Sequence, residues 1–285
     1  FLYLRIYLKN QRMNRMKIKH IYVEGYKVFH NFDIDFTEGE KTQNLIVITG
    51  VNGNGKTTLL RDIIADTNAT KKPKCAITIQ DDKGLNTFLL PLQSENERYE
   101  EAFSKVSFYQ TRDNSSVEKL QKDIVSYVDK VVYEIGKTSF DAYVEIQRML
   151  DDIFCGFNLQ IRFKSLNREK KLIFTNTRQE EFGIDGLSSG ELQILSKVFV
   201  LFTDDMKGHV ILIDEPESSL HPSWQTRILP VLRHCSETND CQIIVATQSP
   251  LVIDSAYKDE IRFLTRDNEG YVKAEIASVT LSAEQ

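Results

Sequence analysis

The pattern of apolar and polar positions changes period several times along the chain. Leu45–Thr49 reads LIVIT without a polar interruption, as expected of a strand buried on both faces of a parallel sheet. A glycine-rich turn follows it, and Leu59, Leu60, Ile63 and Ile64 then recur at helical spacing. Val210–Ile213 and Gln242–Ala246 are further apolar runs that predict core strands. Ahead of them, Ile21–Val23 and the alternating Phe32, Ile34 and Phe36 predict a hairpin, and short strands are expected at Ala76–Ile79, Phe88–Leu90 and Val106–Tyr109. Between Ser115 and Phe154 the period becomes helical. One stripe is Val117, Leu120, Ile124, Tyr127 and Val131, a second is Phe140, Tyr143, Leu150 and Ile153, and the break falls near Gly136. Strands return at Leu159–Phe163 and Lys171–Phe174, a helix at Leu192–Phe202, and a hairpin at Ile261–Leu264 with Tyr271–Ile276.

Strands alternating with helices predict the α/β class. With 285 residues and 41% hydrophobic content, the chain can bury a large core without disulfides. We expect a single domain over 18–285, with a helical insertion at about 94–158. Residues 1–17 are expected to be an extension. They precede Met13 and Met16 without an initiator Met, which reads as sequence upstream of the true start, although Leu2, Leu4, Ile6 and Leu8 alternate as a strand would.

The net charge of -5 excludes a uniformly basic nucleic-acid surface. Contact with DNA or RNA would need a local patch, for which Arg5, Lys9, Arg12, Arg15, Lys17, Lys19 and Lys27 are candidates. Cys75, Cys155, Cys235 and Cys241 show no paired spacing, as expected of reduced thiols in a cytoplasmic protein. His234 with Cys235 and Cys241 lacks a fourth ligand at zinc-like spacing. No apolar run approaches the roughly 18 residues of a membrane helix, so no membrane partner is expected.

The chemistry begins after LIVIT. Gly50-Val51-Asn52-Gly53-Asn54-Gly55-Lys56-Thr57 matches GxxxxGK[ST] between a strand and a helix, the context in which backbone amides cradle phosphate. Gly50, Asn52, Gly53, Asn54 and Gly55 form the cradle. Lys56 is expected to reach the β- and γ-phosphates of ATP, Thr57 to offer its hydroxyl to Mg²⁺, and Thr58 to meet the α-phosphate. Val210–Ile213 delivers Asp214 and Glu215 to the carboxyl end of a buried strand, where open α/β sheets bind ligands. Asp214 suits the metal, and Glu215 suits the water that attacks the γ-phosphate.

Leu187-Ser188-Ser189-Gly190-Glu191-Leu192-Gln193, upstream of Asp214, resembles the signature of ATP-binding-cassette (ABC) ATPases. The resemblance implies an ABC ATPase head: a mixed sheet around the phosphate loop, an N-terminal antiparallel strand layer and a helical insertion. It also implies a homodimer in which Ser188, Ser189, Gly190 and Glu191 cap the nucleotide held by the other copy. Gln110, after Val106–Tyr109, takes the position of the family's glutamine beside Mg²⁺ and the attacking water. Gln248 stands where many members have a switch histidine, which implies slower hydrolysis because an amide cannot become cationic.

The stretch Asp214-Glu215-Pro216-Glu217-Ser218-Ser219-Leu220-His221-Pro222, with Thr247-Gln248-Ser249-Pro250, looks like ATPases of the OLD nuclease type and their relatives in anti-phage systems such as Septu and retrons. IVITGVNGNGKTTLL is also similar to the heads of SMC-like and RecF-like DNA-repair proteins. These resemblances imply an ATP-driven switch acting on a separate effector, a nuclease or other toxin. The alternatives are a repair head that binds DNA directly and a transporter subunit, the latter disfavoured by Leu220-His221-Pro222.

Overall fold

A computed structural model describes residues 15–110, 117–203 and 206–276. Leu2, Leu4, Ile6 and Leu8, and with them Arg5, Lys9 and Arg12, lie outside the described residues. The described chain forms two compact units, the first from 15–110, 207–216 and 232–276, the second from 117–203, 206 and 217–231.

The first unit is built on one ten-stranded sheet. Strands β1 (Met16–Tyr26) and β2 (Phe29–Asp35) form the expected hairpin, and β6 (Cys75–Asp81) and β7 (Gly84–Leu90) extend it outward. A short pair, β3 (Thr37–Glu38) and β4 (Lys41–Thr42), stands apart. The parallel core contains β5 (Leu45–Thr49), β12 (Val210–Asp214), β13 (Gln242–Thr247) and β8 (Val106–Gln110), with β14 (Ile261–Arg266) beside β5. β15 (Val272–Ile276) closes the last hairpin and joins the parallel core to the antiparallel strands through Val272 and Phe29. The strand order is β7-β6-β1-β2-β15-β14-β5-β13-β12-β8. Every residue of β5, β12 and β13 is buried, as their unbroken apolar runs require, while β1 buries Met16, Ile18, Ile21 and Val23 on one face.

Helix α1 starts as Lys56–Thr58 and continues in wider π-type turns over Leu59–Ala65. Leu59, Leu60, Ile63 and Ile64 are wholly buried in the sheet's core, each contributing about 1.5–3 kcal/mol of apolar burial. Glu97–Phe103 forms α2, whose Tyr99 and Phe103 stack at 4.2 Å and meet Phe88 of β7.

The second unit holds α3 (Val117–Asp129, continued over Lys130–Glu134), α4 (Ser139–Phe157) and an antiparallel sheet of β9 (Ile161–Leu166), β10 (Leu172–Asn176) and β11 (Glu181–Gly183). It also holds α5 (Ser189–Val198) and the first turns of α6 (Pro222–Thr238). The stripe on α3 buries Leu120, Ile124 and Val131 as expected. On α4 the phase differs. Ala142, Ile146, Leu150 and Ile153 face inward, whereas Phe140 is 72% exposed. A Thr138–Asp141 capping box starts α4 one residue before Phe140, so the helix phase turns that ring outward. No helix among the described residues is long and apolar enough to cross a membrane. All four cysteines are free, with Cys155 exposed and the others buried.

Candidate functional site

The parallel strands bring their carboxyl ends into register. Thr49 pairs with Thr247, Ala246 with Asp214, and Asp214 with Gln110. Residues far apart in sequence therefore meet along one rim, where α1 begins.

The phosphate loop is shaped by its contacts with other strands. Gly50 follows β5 with φ 151°, and a Cβ there would stand 2.5 Å from the carbonyl oxygen of Leu264. Gly55 has φ 80°, and its Cβ would stand 2.7 Å from Cζ of Phe29 and 2.8 Å from Cγ2 of Val28. Both positions therefore exclude any side chain. Asn54 is buried, and its Nδ2 donates to the Leu264 carbonyl at 2.7 Å, while its amide donates to the Val51 carbonyl at 3.2 Å. Arg266 donates to Asn54 Oδ1 at 3.1 Å and to the Gly53 carbonyl at 2.8 Å. The side chain of Asn54 thus belongs to the β14–β15 hairpin, and Asn52 is exposed.

Lys56 is 7% exposed, and its Nζ crosses the loop to donate to the carbonyls of Gly50 at 2.6 Å and Val51 at 3.3 Å. Thr57, one residue on, donates its hydroxyl to Oδ2 of buried Asp214 at 2.8 Å. Thr58 is half-buried on the same turn. The Thr57 hydroxyl and the Asp214 carboxylate are hard oxygen donors, with Gln110 paired beside Asp214 in the sheet, so these residue types fit Mg²⁺. Glu215 extends the strand pairing by one bond, its amide donating to the Ala246 carbonyl at 2.8 Å. It then turns the chain with φ 51°, a left-handed conformation that costs a non-glycine residue about 1–2 kcal/mol. Gln248 is exposed just past β13, and Ser249 behind it caps α7 (Pro250–Ile253).

In the second unit, the predicted signature forms the start of α5. Ser188 is its N-cap: Ser188 N and Oγ both donate to Glu191 Oε2 at 2.7 Å, and Glu191 N donates to Ser188 Oγ at 3.3 Å. This reciprocal cap leaves the first-turn amides of Ser189 and Gly190 without intrahelical acceptors. Ser188 and Ser189 are exposed, as an anion site requires. Lys197, near the other end of α5, donates to the Ser218 carbonyl at 2.5 Å. Burial pulls its pKa down to about 8, against the upward pull of Glu217.

Sequence reasoning missed Leu264, Arg266, Val28 and Phe29 behind the loop, and Trp224 against Gly190. No local signal marks them, because each reaches its partner through the tertiary fold.

Residues 81–254 match a family described as "AAA domain, putative AbiEii toxin, Type IV TA system". The Septu protein PtuA of Bacillus thuringiensis is 23% identical across 90% of this chain and 77% of its own length. The SMC head domain of Thermotoga maritima superposes with a TM-score of 0.58 at 17% identity, covering 92% of this chain and 100% of that one. CbiO1 of Clostridium perfringens, part of the ABC transporter complex cbiONQ, superposes with a TM-score of 0.51 at 18% identity, covering 91% and 86%. The fold is that of SMC heads and ABC ATPases, a mixed α/β architecture with a mixed sheet around the phosphate loop.

Proposed function

The chain belongs to this AAA-domain family, and from that premise we propose that it binds and hydrolyses ATP and pairs with a second copy around two nucleotides. Opening and closing of the pair switches a partner effector, a nuclease or other toxin, in anti-phage defence. The observation that carries the reading is the convergence of Thr57, Asp214, Gln110 and Glu215 at one rim of the parallel strands, beside a lysine-bearing glycine loop.

In this reading Lys56 leaves its loop carbonyls for the β- and γ-phosphate oxygens, and Thr58 meets the α-phosphate side. Thr57, Asp214 and Gln110 would hold Mg²⁺, which would supply positive charge beside the phosphates. Glu215 orients the attacking water and accepts its proton. Gln248 donates a hydrogen bond toward the γ-phosphate without gaining charge. Ser188, Ser189, Gly190 and Glu191 lie at a helix N-terminus, whose dipole and amides suit the phosphate presented by the other copy. The likeness to a Septu protein over most of the chain supports the defence role.

The Glu215→Gln variant tests the reading. With Mg·ATP it should form a dimer by light scattering and release no phosphate. A variant that stays monomeric contradicts the nucleotide sandwich.

The fold likeness to an SMC head favours, as a second reading, direct binding of duplex DNA. A salt-dependent gel shift by the chain alone would support it, with affinity falling as salt releases the phosphate contacts.

A further inference from the structure

Trp224, the only tryptophan of the chain, stands in the first turn of α6. Its amide donates to the His221 carbonyl at 2.9 Å, and the His221 ring meets the indole edge-on with centroids 6.3 Å apart. The indole lies against Gly190. A Cβ at that glycine would stand 2.1 Å from Cζ3 and 2.5 Å from Cη2. No real Cβ approaches a ring so closely, so the ring occupies the space a side chain at 190 would need.

Gly190 differs in this from the glycines of the phosphate loop. Its φ is not in the left-handed region, so its backbone conformation is open to any residue. The absence of a side chain there is a packing requirement, and the indole imposes it. The glycine itself weakens the start of α5, since it has the most backbone freedom to lose. That weakness makes a flat support for the turn more consequential. A second tie, from Lys197 to the Ser218 carbonyl, holds the far end of α5 to the same segment that leads into Trp224.

We propose that Trp224 is a positioning residue for the signature turn: its indole sets the attitude of Ser188–Gly190 so that the turn can receive a phosphate presented by a second copy. The inference rests on the ATP-dependent pairing put forward above. It adds that the pairing surface is shaped by α6, and that Trp224 senses closure.

Intrinsic fluorescence of the full chain tests this without altering the indole. In Glu215→Gln, addition of Mg·ATP should shift Trp224 emission in step with dimer mass, and adding Lys56→Ala should abolish both changes. In the Glu215→Gln background, Trp224→Ala should raise the ATP concentration for half-maximal pairing by about tenfold or more. Binding of a fluorescent ATP analogue to dilute protein should stay within about twofold, which separates turn positioning from loss of the cradle. Trp224→Phe retains a flat ring and should fall between the two. It carries the mutational test if the alanine variant does not fold by circular dichroism.

Unchanged emission across a pairing transition would overturn the inference, as would pairing of the alanine and phenylalanine variants at the same ATP concentration as their parent. A parent Glu215→Gln that binds ATP yet never pairs would instead overturn the pairing reading itself.

Discussion

The hydroxyl of Thr57 donates to the carboxylate of Asp214 across 2.8 Å, joining the end of the phosphate loop to a strand 157 residues later. The bond sets side by side the two oxygen groups proposed to hold a cation.

Asp214→Asn should keep the fold, because an amide can still accept from Thr57. What it removes is the negative charge that a divalent ion needs. The ratio of ATP affinities measured with Mg²⁺ and with chelator should collapse toward unity, from a wild-type ratio of about tenfold or more. A ratio that survives the substitution would exclude Asp214 from the metal site.

Gly55→Ala should cost about 2 kcal/mol or more, combining a left-handed backbone with overlap against Phe29 and Val28. Gly39→Ala is the internal control. It has φ 60° but open space around it, so it carries only the backbone part. Denaturant titration of the two variants compares them directly, and ATP binding should weaken in the first alone.

Gln248 is exposed at the rim and does not titrate. Gln248→His should therefore give kcat an inflection near pH 6.5, about the ordinary histidine value, that the wild type lacks. A flat profile in the variant would place position 248 outside the reacting phosphate.

Lys72, which is buried, and Lys197, which is half-buried, predict how stability varies with pH. Burial draws Lys72 down to about 8, where it donates to the carbonyls of Ile63 and Ile64, and burial likewise draws Lys197 to about 8. Both would sit near 10.5 in the unfolded chain. Below pH 8 both states are protonated. Above it the unfolded chain holds protons that the native chain has released, so stability rises with pH. Cys75, which burial pushes up to about 11, opposes this only above its ordinary value of 9.0. The urea midpoint should thus climb between about pH 7.5 and 9, and a Lys72→Met, Lys197→Met double variant should flatten the climb.

The core was legible wherever one periodic signal acted alone. LIVIT, Val210–Ile213 and Gln242–Ala246 became β5, β12 and β13 because a strand covered on both faces has no reason to alternate. The α6 helix was not legible: Pro230 lies inside it, and its mixed pattern gave no clean stripe. Glu97–Phe103 was missed because four of its seven residues are charged, with burial resting on Tyr99, Ala102 and Phe103. Lys56, Thr57, Asp214 and Glu215 were singled out from motif and strand context, and the fold brings them to one rim. The partners of Asn54 were not, because a bond to Leu264 spans 210 positions and leaves no trace in either neighbourhood.

The hairpin β14–β15 completes the phosphate loop from behind, through the carbonyl of Leu264 and the guanidinium of Arg266. In chain order, every motif residue of the first unit precedes those two. A nascent chain ending after Gln248 carries a full set of recognisable motifs but an unsupported cradle. The support behind the loop is therefore complete only once the last pair of strands has docked.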